Sequence, residues 1–586
     1  MPAVPANATA IGLYVPGAGG TITRDGAIES LRRGEVQNAL LGGKPSGPVL
    51  VELTTRHPER PAVYLELPAP GKHSNTKRYL VAIDAQGFRG ILTSDSTRIR
   101  GLVSIPDITQ TAIALAEGTK PDIRAVAGTP DDLTRLDRRL SRVHRDRGWT
   151  LAVVALTLLA LALVWPRAGV LAGAAAVTVS LWLSITGTTR FWEVLLWVAS
   201  ASVAIAFLAS VRRGVVPFAV TLFFVALLLV LTISSETNSL AVLGARPDGG
   251  GRFYGIGNQL ETLLLPPLIA AIVIGGLPWL VPLGALALVT VGWSKAGADG
   301  GGLIVFAAAL AVLLLRLRQA PLTWRRVVLA GAGVVALAFA LVGLDAAFGG
   351  SSHVTHAVGG GPGSLFGDLG HRLHLSWANA TKAWYNVTLF LGSFAVLVWI
   401  GTRKPRRAAV DAMLVALAVS LVVNDTPVDV IGLGVLGCLA LLRFESVDSR
   451  RMRRGALIAV FAVAAFALAG CGSEGVTSAK PETVVGTVQQ EAPGKAIFIN
   501  QGCGACHTYG PAGSEAKGTI GPDLDKLPDF AKEAKQPLAA FVHESIVDPN
   551  KYIQKGYPAS VMPKSYASLP PTDLKDLVDF LSTSQG

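Results

Sequence analysis

From residue 149 onward the chain alternates between apolar runs of nearly twenty residues and short polar breaks. The apolar cores fall at 149–165, 169–187, 192–210, 215–233, 259–275, 277–293, 302–316, 326–345, 383–401, 408–423 and 427–442. A helix needs about 20 residues to cross a bilayer, so the pattern predicts about eleven spans. Only helices and closed barrels satisfy their backbone in lipid, and these lengths select helices. An all-α polytopic transmembrane bundle is therefore expected over 148–450. Upstream the pattern changes. PVLVEL (48–53), PAVYLEL (61–67) and YLVAID (79–84) read as strands, and SIPDITQTAIALAEG (104–118) reads as a helix with Asp107 near its start and Gly118 at its end. Residues 1–147 are expected to form a soluble α/β domain. Downstream come a shorter apolar run at 455–470, a Gly/Ser/Thr/Pro-rich stretch at 472–493, and a soluble all-α segment at 494–586.

Composition agrees with this division. Hydrophobic residues make up 51% of the 586, charged residues 16%, and mean hydropathy is +0.47. The formal net charge of +12 does not indicate nucleic-acid binding, because much of it lies in short arginine clusters between apolar runs. VRRG (211–214), RLRQAPLTWRR (316–326), TRKPRR (402–407) and SRRMRR (449–454) all fall on one side of an eleven-span bundle. Basic loops mark the cytoplasmic side. The loops 234–258, 293–301, 346–380 and 424–429 then fall outside, together with the first domain. RRLSRVHRDR (138–147) disagrees, since so basic a stretch prefers the cytoplasm. MPAVPANATAIGLYVPGAGG lacks the basic and apolar regions of a secretory signal, so an outer first domain calls for a segment upstream of residue 1.

After Arg454 the composition changes again: residues 455–586 contain no arginine, and lysine supplies all ten basic side chains. Within this tail lies CGACH, Cys503 to His507, the pattern of c-type haem attachment. Two thiols two residues apart reach the two vinyl groups of one haem, and the adjacent imidazole can turn to the iron. A structural zinc site needs four ligands, whereas the tail beyond Cys506 has no further cysteine and, besides His507, only His543. A thioredoxin-like pair would not require the following histidine. The sixth iron ligand is expected to be Met562, the one methionine after Met452, with His543 as the alternative.

With these residues in place, the tail from about 493 resembles a class I cytochrome c. GKAIFINQGCGACH is similar to that family's first helix running into the haem motif, with Phe498 at its aromatic position, and TIGPDLDKL to the segment that follows. PPTDLKDLVDFLSTS is similar to the closing helix, where Phe580 would pack across the first. The resemblance implies one covalently attached haem c bound by Cys503, Cys506, His507 and Met562, with the Pro522 carbonyl holding the imidazole N–H. It also implies one-electron transfer without bond-making chemistry. Redox partners such as a quinol:cytochrome c reductase and a terminal oxidase would follow. After Cys471 thirteen acidic residues oppose ten lysines, a weak indication of a basic docking partner.

Leu468-Ala469-Gly470-Cys471 resembles the bacterial lipoprotein box, preceded by Arg453 and Arg454 and an apolar run at 455–470. Residues 451–471 are thus expected to act as a lipoprotein-type signal or anchor, with the Cys471 thiol carrying membrane lipid and 472–493 a flexible linker. The alternative is a twelfth apolar span. MRRGALIAVFAVAAFALAGCGSEG, beginning at Met452, is itself a complete lipoprotein start, so 452–586 reads as a second protein joined to 1–451. The expected location is a bacterial cell membrane, multi-pass, with the cytochrome outside.

The bundle carries polar residues at span boundaries: Asn258 and Glu261 in GRFYGIGNQLETLLLP, Asp299 in GADGGG, and Asn424 and Asp425 in NDTP. Two readings stay open for them, a membrane-embedded functional site and helix capping at the interface. RGILTSDSTRIRGLVSIPDITQTAIAL (89–115) resembles part of an alkaline-phosphatase or sulfatase superfamily domain, without that family's nucleophile and paired metal ligands. Together with GRFYGIGN it also resembles uncharacterised bacterial membrane proteins. His353, His356, His371 and His374 form two H-x-x-H pairs, expected to be ordinary loop. The chain thus reads as an electron carrier rather than an enzyme. The competing reading is a membrane hydrolase or transporter with an accessory haem domain.

Overall fold

A computed structural model describes residues 9–17, 21–33, 49–53, 61–69, 71–249, 252–321, 323–347, 381, 384–424, 426–445, 485–490, 493–501, 503–516, 518–563, 566–567, 569 and 571–583. The chain divides into two compact units, residues 1–45 with 53–487, and residues 46–52 with 488–586.

The first unit begins with a mixed sheet. β1 (Ala10–Tyr14) lies between β5 (Tyr79–Asp84), antiparallel with Ala10 opposite Ile83, and β6 (Gly90–Thr93), parallel with Ala10 opposite Gly90. β3 (Ala62–Glu66) extends the sheet beyond β5, β8 (Arg124–Val126) extends it beyond β6, and β7 (Leu102–Val103) pairs with the end of β1. β2 (Thr21–Thr23) and β4 (Lys72–Ser74) form a separate ribbon. The strands expected at 61–67 and 79–84 are present, and Val49–Leu53 is extended as well. β1, β6, β7 and β8 were not legible: all are two to five residues long, and β1 is wholly buried, so it has no polar alternation.

Helix α1 (Arg24–Arg33) packs with α2 (Ile105–Glu117). The α2 helix begins at a capping box in which Ser104 and Asp107 satisfy each other's backbone N–H groups, and ends at Gly118 in the left-handed region (φ 69°). Thr109 and Thr111, within the stretch 89–115 that resembles hydrolases, are buried: Thr109 donates to the Leu31 carbonyl (2.6 Å), and Thr111 accepts from the Ile123 N–H (3.1 Å).

Eleven apolar helices follow among the described residues. They are α3 (Pro130–Val164), α4 (Pro166–Thr186), α5 (Phe191–Ser210), α6 (Val216–Ile233), then, after the short α7 (Ser235–Ser239), α8 (Asn258–Gly275), α9 (Leu277–Gly292), α10 (Gly300–Leu317), α11 (Trp324–Ala347), α12 (Trp384–Gly401), α13 (Ala408–Val423) and α14 (Pro427–Glu445). Nine are long and apolar enough to cross a membrane by length and composition, while α9 and α13 are shorter. Their outward faces carry Trp182, Trp192, Leu222, Leu329, Leu391 and Val398, all exposed. So many exposed large apolar side chains are compatible with a multi-pass membrane protein. Small residues let the helices approach closely. A Cβ on Gly173 would lie 2.6 Å from the Leu263 carbonyl oxygen, and one on Gly437 2.8 Å from Pro266.

The α3 helix starts nineteen residues before the expected span, with Pro130 in its first turn after Thr129. It therefore includes the discordant basic stretch, whose charges are used in protein contacts. Arg139 donates to the Ser184 carbonyl and hydroxyl, Arg142 to Thr189, and Arg147 to the Gly244 and Ala245 carbonyls. His144 pairs with the buried Asp248 at 2.5 Å. Arg98 of the α/β domain donates to the Ser294 and Lys295 carbonyls and stacks 3.8 Å over Tyr254. The α/β domain thus packs on the loops preceding α8 and α10.

The second unit is helical: α15 (Pro493–Asn500), α16 (Leu527–Glu533), α17 (Leu538–Val547) and α18 (Pro571–Thr583), with 3-10 turns at Cys503–Ala505, Gly510–Glu515 and Leu524–Lys526. Phe498 of α15 meets Phe580 of α18 edge-on, with ring centroids 6.1 Å apart, as the sequence resemblance implies. Tyr509 completes the cluster 5.4 Å from Phe580 and donates its hydroxyl to the Phe580 carbonyl. The two helices cross at Gly494, where a Cβ would lie 2.5 Å from that of Phe580. Within the segment read as a linker, Val485–Gln490 is a strand, in keeping with its valines and threonine. The signal segment 451–471 with Cys471, Asp425, and the four histidines of 346–380 lie outside the described residues.

Candidate functional site

CGACH lies directly after α15, wound into a single helical turn. The amides of Cys506 and His507 both donate to the Cys503 carbonyl, at 3.2 and 3.1 Å. This turn brings the two cysteines and the histidine into one short arc. The following chain is laced to it, with the Gly521 amide bonded to the Cys506 carbonyl (2.7 Å) and the Leu524 amide to the Thr508 carbonyl (2.9 Å). These bonds carry Pro522 to the imidazole. His507 Nδ1 donates to the Pro522 carbonyl at 2.8 Å, the contact that the resemblance implies. Gly521 is required beside it, since a Cβ there would lie 2.7 Å from Nδ1 and 2.9 Å from Nε2. With Nδ1 committed, Nε2 is the nitrogen left for a metal. Burial pushes the His507 pKa below the usual histidine range, and the bond to Pro522 partly opposes this. The ring is thereby neutral at pH 7, as ligation demands.

Cys503 and Cys506 are not paired with each other in a disulfide. No group of three or more His, Cys, Asp or Glu suited to a metal ion occurs among the described residues. Neither the zinc reading nor a hydrolase metal centre gains support from that. Met562 is half-buried in the long segment between α17 and α18, while His543 is exposed on α17. Ile520, next to Gly521-Pro522, and Val561, next to Met562, are large apolar side chains exposed at 59% and 48%. Exposed apolar groups flanking each proposed ligand segment fit a domain that holds a flat apolar group.

Residues 491–585 match the family model of cytochrome c. The C-terminal part of the chain is a cytochrome c domain. Its haem c is covalently attached, as membership implies, and the residues present fit that group: two cysteines not tied up in a disulfide, an imidazole oriented by a backbone carbonyl, and an apolar margin. The match covers the cytochrome c domain alone and does not extend to residues 1–490. No curated protein and no solved structure matches the chain.

The polar residues of the bundle form a second group, away from the haem motif in sequence. Glu261, in the first turn of α8, is wholly buried. One of its oxygens accepts from the Asn424 amide (2.9 Å) and the other from the Ser420 hydroxyl (3.3 Å). Asp299 caps α10, accepting from the Gly302 N–H at 3.1 Å, so the capping reading holds for it. Asn258 donates to Thr426 (2.8 Å) and its neighbour Gln259 to Asp429 (2.8 Å). Ser420 and Arg252 were missed from sequence. The signal for Ser420 was its place four residues before Asn424, one helical turn away.

Proposed function

We propose that the chain is a membrane-bound electron carrier whose haem domain lies on the extracytoplasmic face and passes electrons one at a time within a respiratory chain. The observation that carries this reading is the oriented imidazole, His507 Nδ1 on the Pro522 carbonyl, within the CGACH turn. When bound, the haem supplies a one-electron iron couple. The residues of the chain do the rest. Cys503 and Cys506 would tether the macrocycle, and His507 through Nε2 and Met562 through its thioether would ligate the iron. The Phe498–Tyr509–Phe580 cluster packs α15 against α18 and so fixes the chain that carries the haem motif. Thioether ligation favours the reduced iron and a high potential.

Membrane attachment is supported by the long apolar helices, and sidedness by the arginine-rich loops at their opposite ends. Cys471 would add a lipid anchor just ahead of the haem domain. Physiological partners would be a quinol:cytochrome c reductase as donor and a terminal oxidase as acceptor. The test is oxidation of the reduced, purified full chain by membranes that contain a terminal oxidase. Rapid haem oxidation supports the reading, and a Met562→Ala chain should transfer more slowly at equal haem content. Failure of the wild-type chain to reduce any oxidase-containing membrane would overturn the respiratory role.

A further inference from the structure

The buried acid pair at the mouths of α8 and α10 has an uneven set of partners. Both Glu261 oxygens accept hydrogen bonds, one from the Asn424 amide and one from the Ser420 hydroxyl. Asp299 is 3% exposed; its Oδ1 accepts from Gly302, while Oδ2 has no donor among the described residues. Among the described residues, the cation beside it is Arg252. Its Nη2 stands 3.8 Å from Oδ1, beyond hydrogen-bond distance, and its Nη1 is bonded to the Ile256 carbonyl. Asn424 links the two acids, bonding Glu261 with its amide while a Cβ on Gly301 would lie 2.6 Å from its Oδ1 and 3.6 Å from Asp299 Oδ1. Among the described residues two buried acids face one guanidinium, so full ionisation of both would leave one negative charge unbalanced where that is costly.

The site is also held rigidly. The loops entering α8 and α10 are joined by the Ile256 amide on the Gly297 carbonyl (2.8 Å), and Asn238 donates to the Gly255 carbonyl (2.7 Å). Glycines clear the space around the bare oxygen: a Cβ on Gly302 would lie 2.8 Å from Asp299 Oδ2, and one on Gly301 2.6 Å from Asn424 Oδ1. Asn424 therefore faces Glu261 with its amide nitrogen and the glycine run beside Asp299 with its oxygen.

We propose that Glu261, Asp299 and Asn424 bind one exchangeable monovalent positive charge, a sodium ion or a proton, at the bare Oδ2 of Asp299. A divalent ion would leave the cluster with excess positive charge and would demand more oxygen ligands than these three residues supply. The site is independent of the haem domain and gives the polytopic portion a chemistry of its own, the uptake of a cation between its helices.

Two measurements on the purified full chain test this. The first is saturable binding of radioactive sodium at neutral pH, and the second is the infrared carbonyl stretch of a protonated carboxylic acid. Asp299→Asn is the decisive variant, because asparagine caps a helix as well as aspartate and keeps the bond to Gly302. Covalent haem content and gel-filtration profile report whether the variant folds, and Glu261→Gln serves as a second probe. Sodium binding near one ion per chain, abolished in Asp299→Asn, identifies sodium. A carboxylic-acid band without sodium binding, lost in the same variant, identifies a proton. Absence of both signals in the wild-type chain, or their persistence in both variants, overturns the proposal.

Discussion

A methyl group on Gly521 would lie 2.7 Å from the Nδ1 of His507, inside any acceptable contact. Gly521→Ala must therefore turn the imidazole or move the Pro522 carbonyl, while Cys503 and Cys506 remain able to form their thioethers. The expected result is covalent haem at the wild-type level with a rise in the high-spin ferric fraction, read by electron paramagnetic resonance. Asp248 is governed by charge rather than shape. Burial alone would raise its pKa, but the bond to His144 and the charges of Arg147 and Arg246 outweigh burial and hold it below the usual carboxylate range. A carboxylate depressed in the folded state adds stability above its unfolded value, about 3.9, and that contribution is lost as pH falls through the lower folded value. Asp248→Asn should lower the melting temperature at pH 7, and the gap from the wild type should narrow below about pH 4 in a pH series of thermal scans. Little of this was readable in sequence. CGACH announces its chemistry through spacing alone, whereas the partnership of His144 with Asp248 spans 104 residues and only the fold creates it.

Among the elements, the apolar helices were the most legible, because a run of nearly twenty apolar residues has few other solutions. Their ends shifted where polar residues found partners. The α3 helix reaches back to Pro130 because Arg139, Arg142 and Arg147 each meet a carbonyl or hydroxyl of a neighbouring loop. The short strands were not legible because runs of two to five residues are too short to show a period. The α2 helix was read correctly from its caps, and its capping box offers a direct check. Ser104→Ala removes the side chain that meets the Asp107 amide, at a cost of about 1 kcal/mol. Amide exchange over 105–117 should then quicken by roughly fivefold, with exchange in α18 unchanged as the internal control. In the haem domain, Gly494→Val would force a branched side chain against Phe580 where α15 crosses α18. Overpacking of this kind costs about 1–3 kcal/mol, and the haem domain should lose its ferrous spectrum at lower guanidinium than the wild type.

For the whole molecule, sequence texture separated three kinds of polypeptide correctly, a small mixed sheet, an apolar helical body and a cytochrome c domain. How the α/β domain is fixed to the bundle was not legible, since it depends on single side chains such as Arg98 over Tyr254. The account rests above all on one haem c per chain, fixed at Cys503 and Cys506 and ligated by His507 and Met562. A redox titration of the purified full-length chain, followed by haem absorbance and paired with Met562→Ala, tests it most directly. The prediction is a single reversible one-electron transition from one covalent haem on the 61.0 kDa species, moved to lower potential in Met562→Ala. A chain of that size without covalent haem, or a transition whose potential is the same in Met562→Ala, would contradict it.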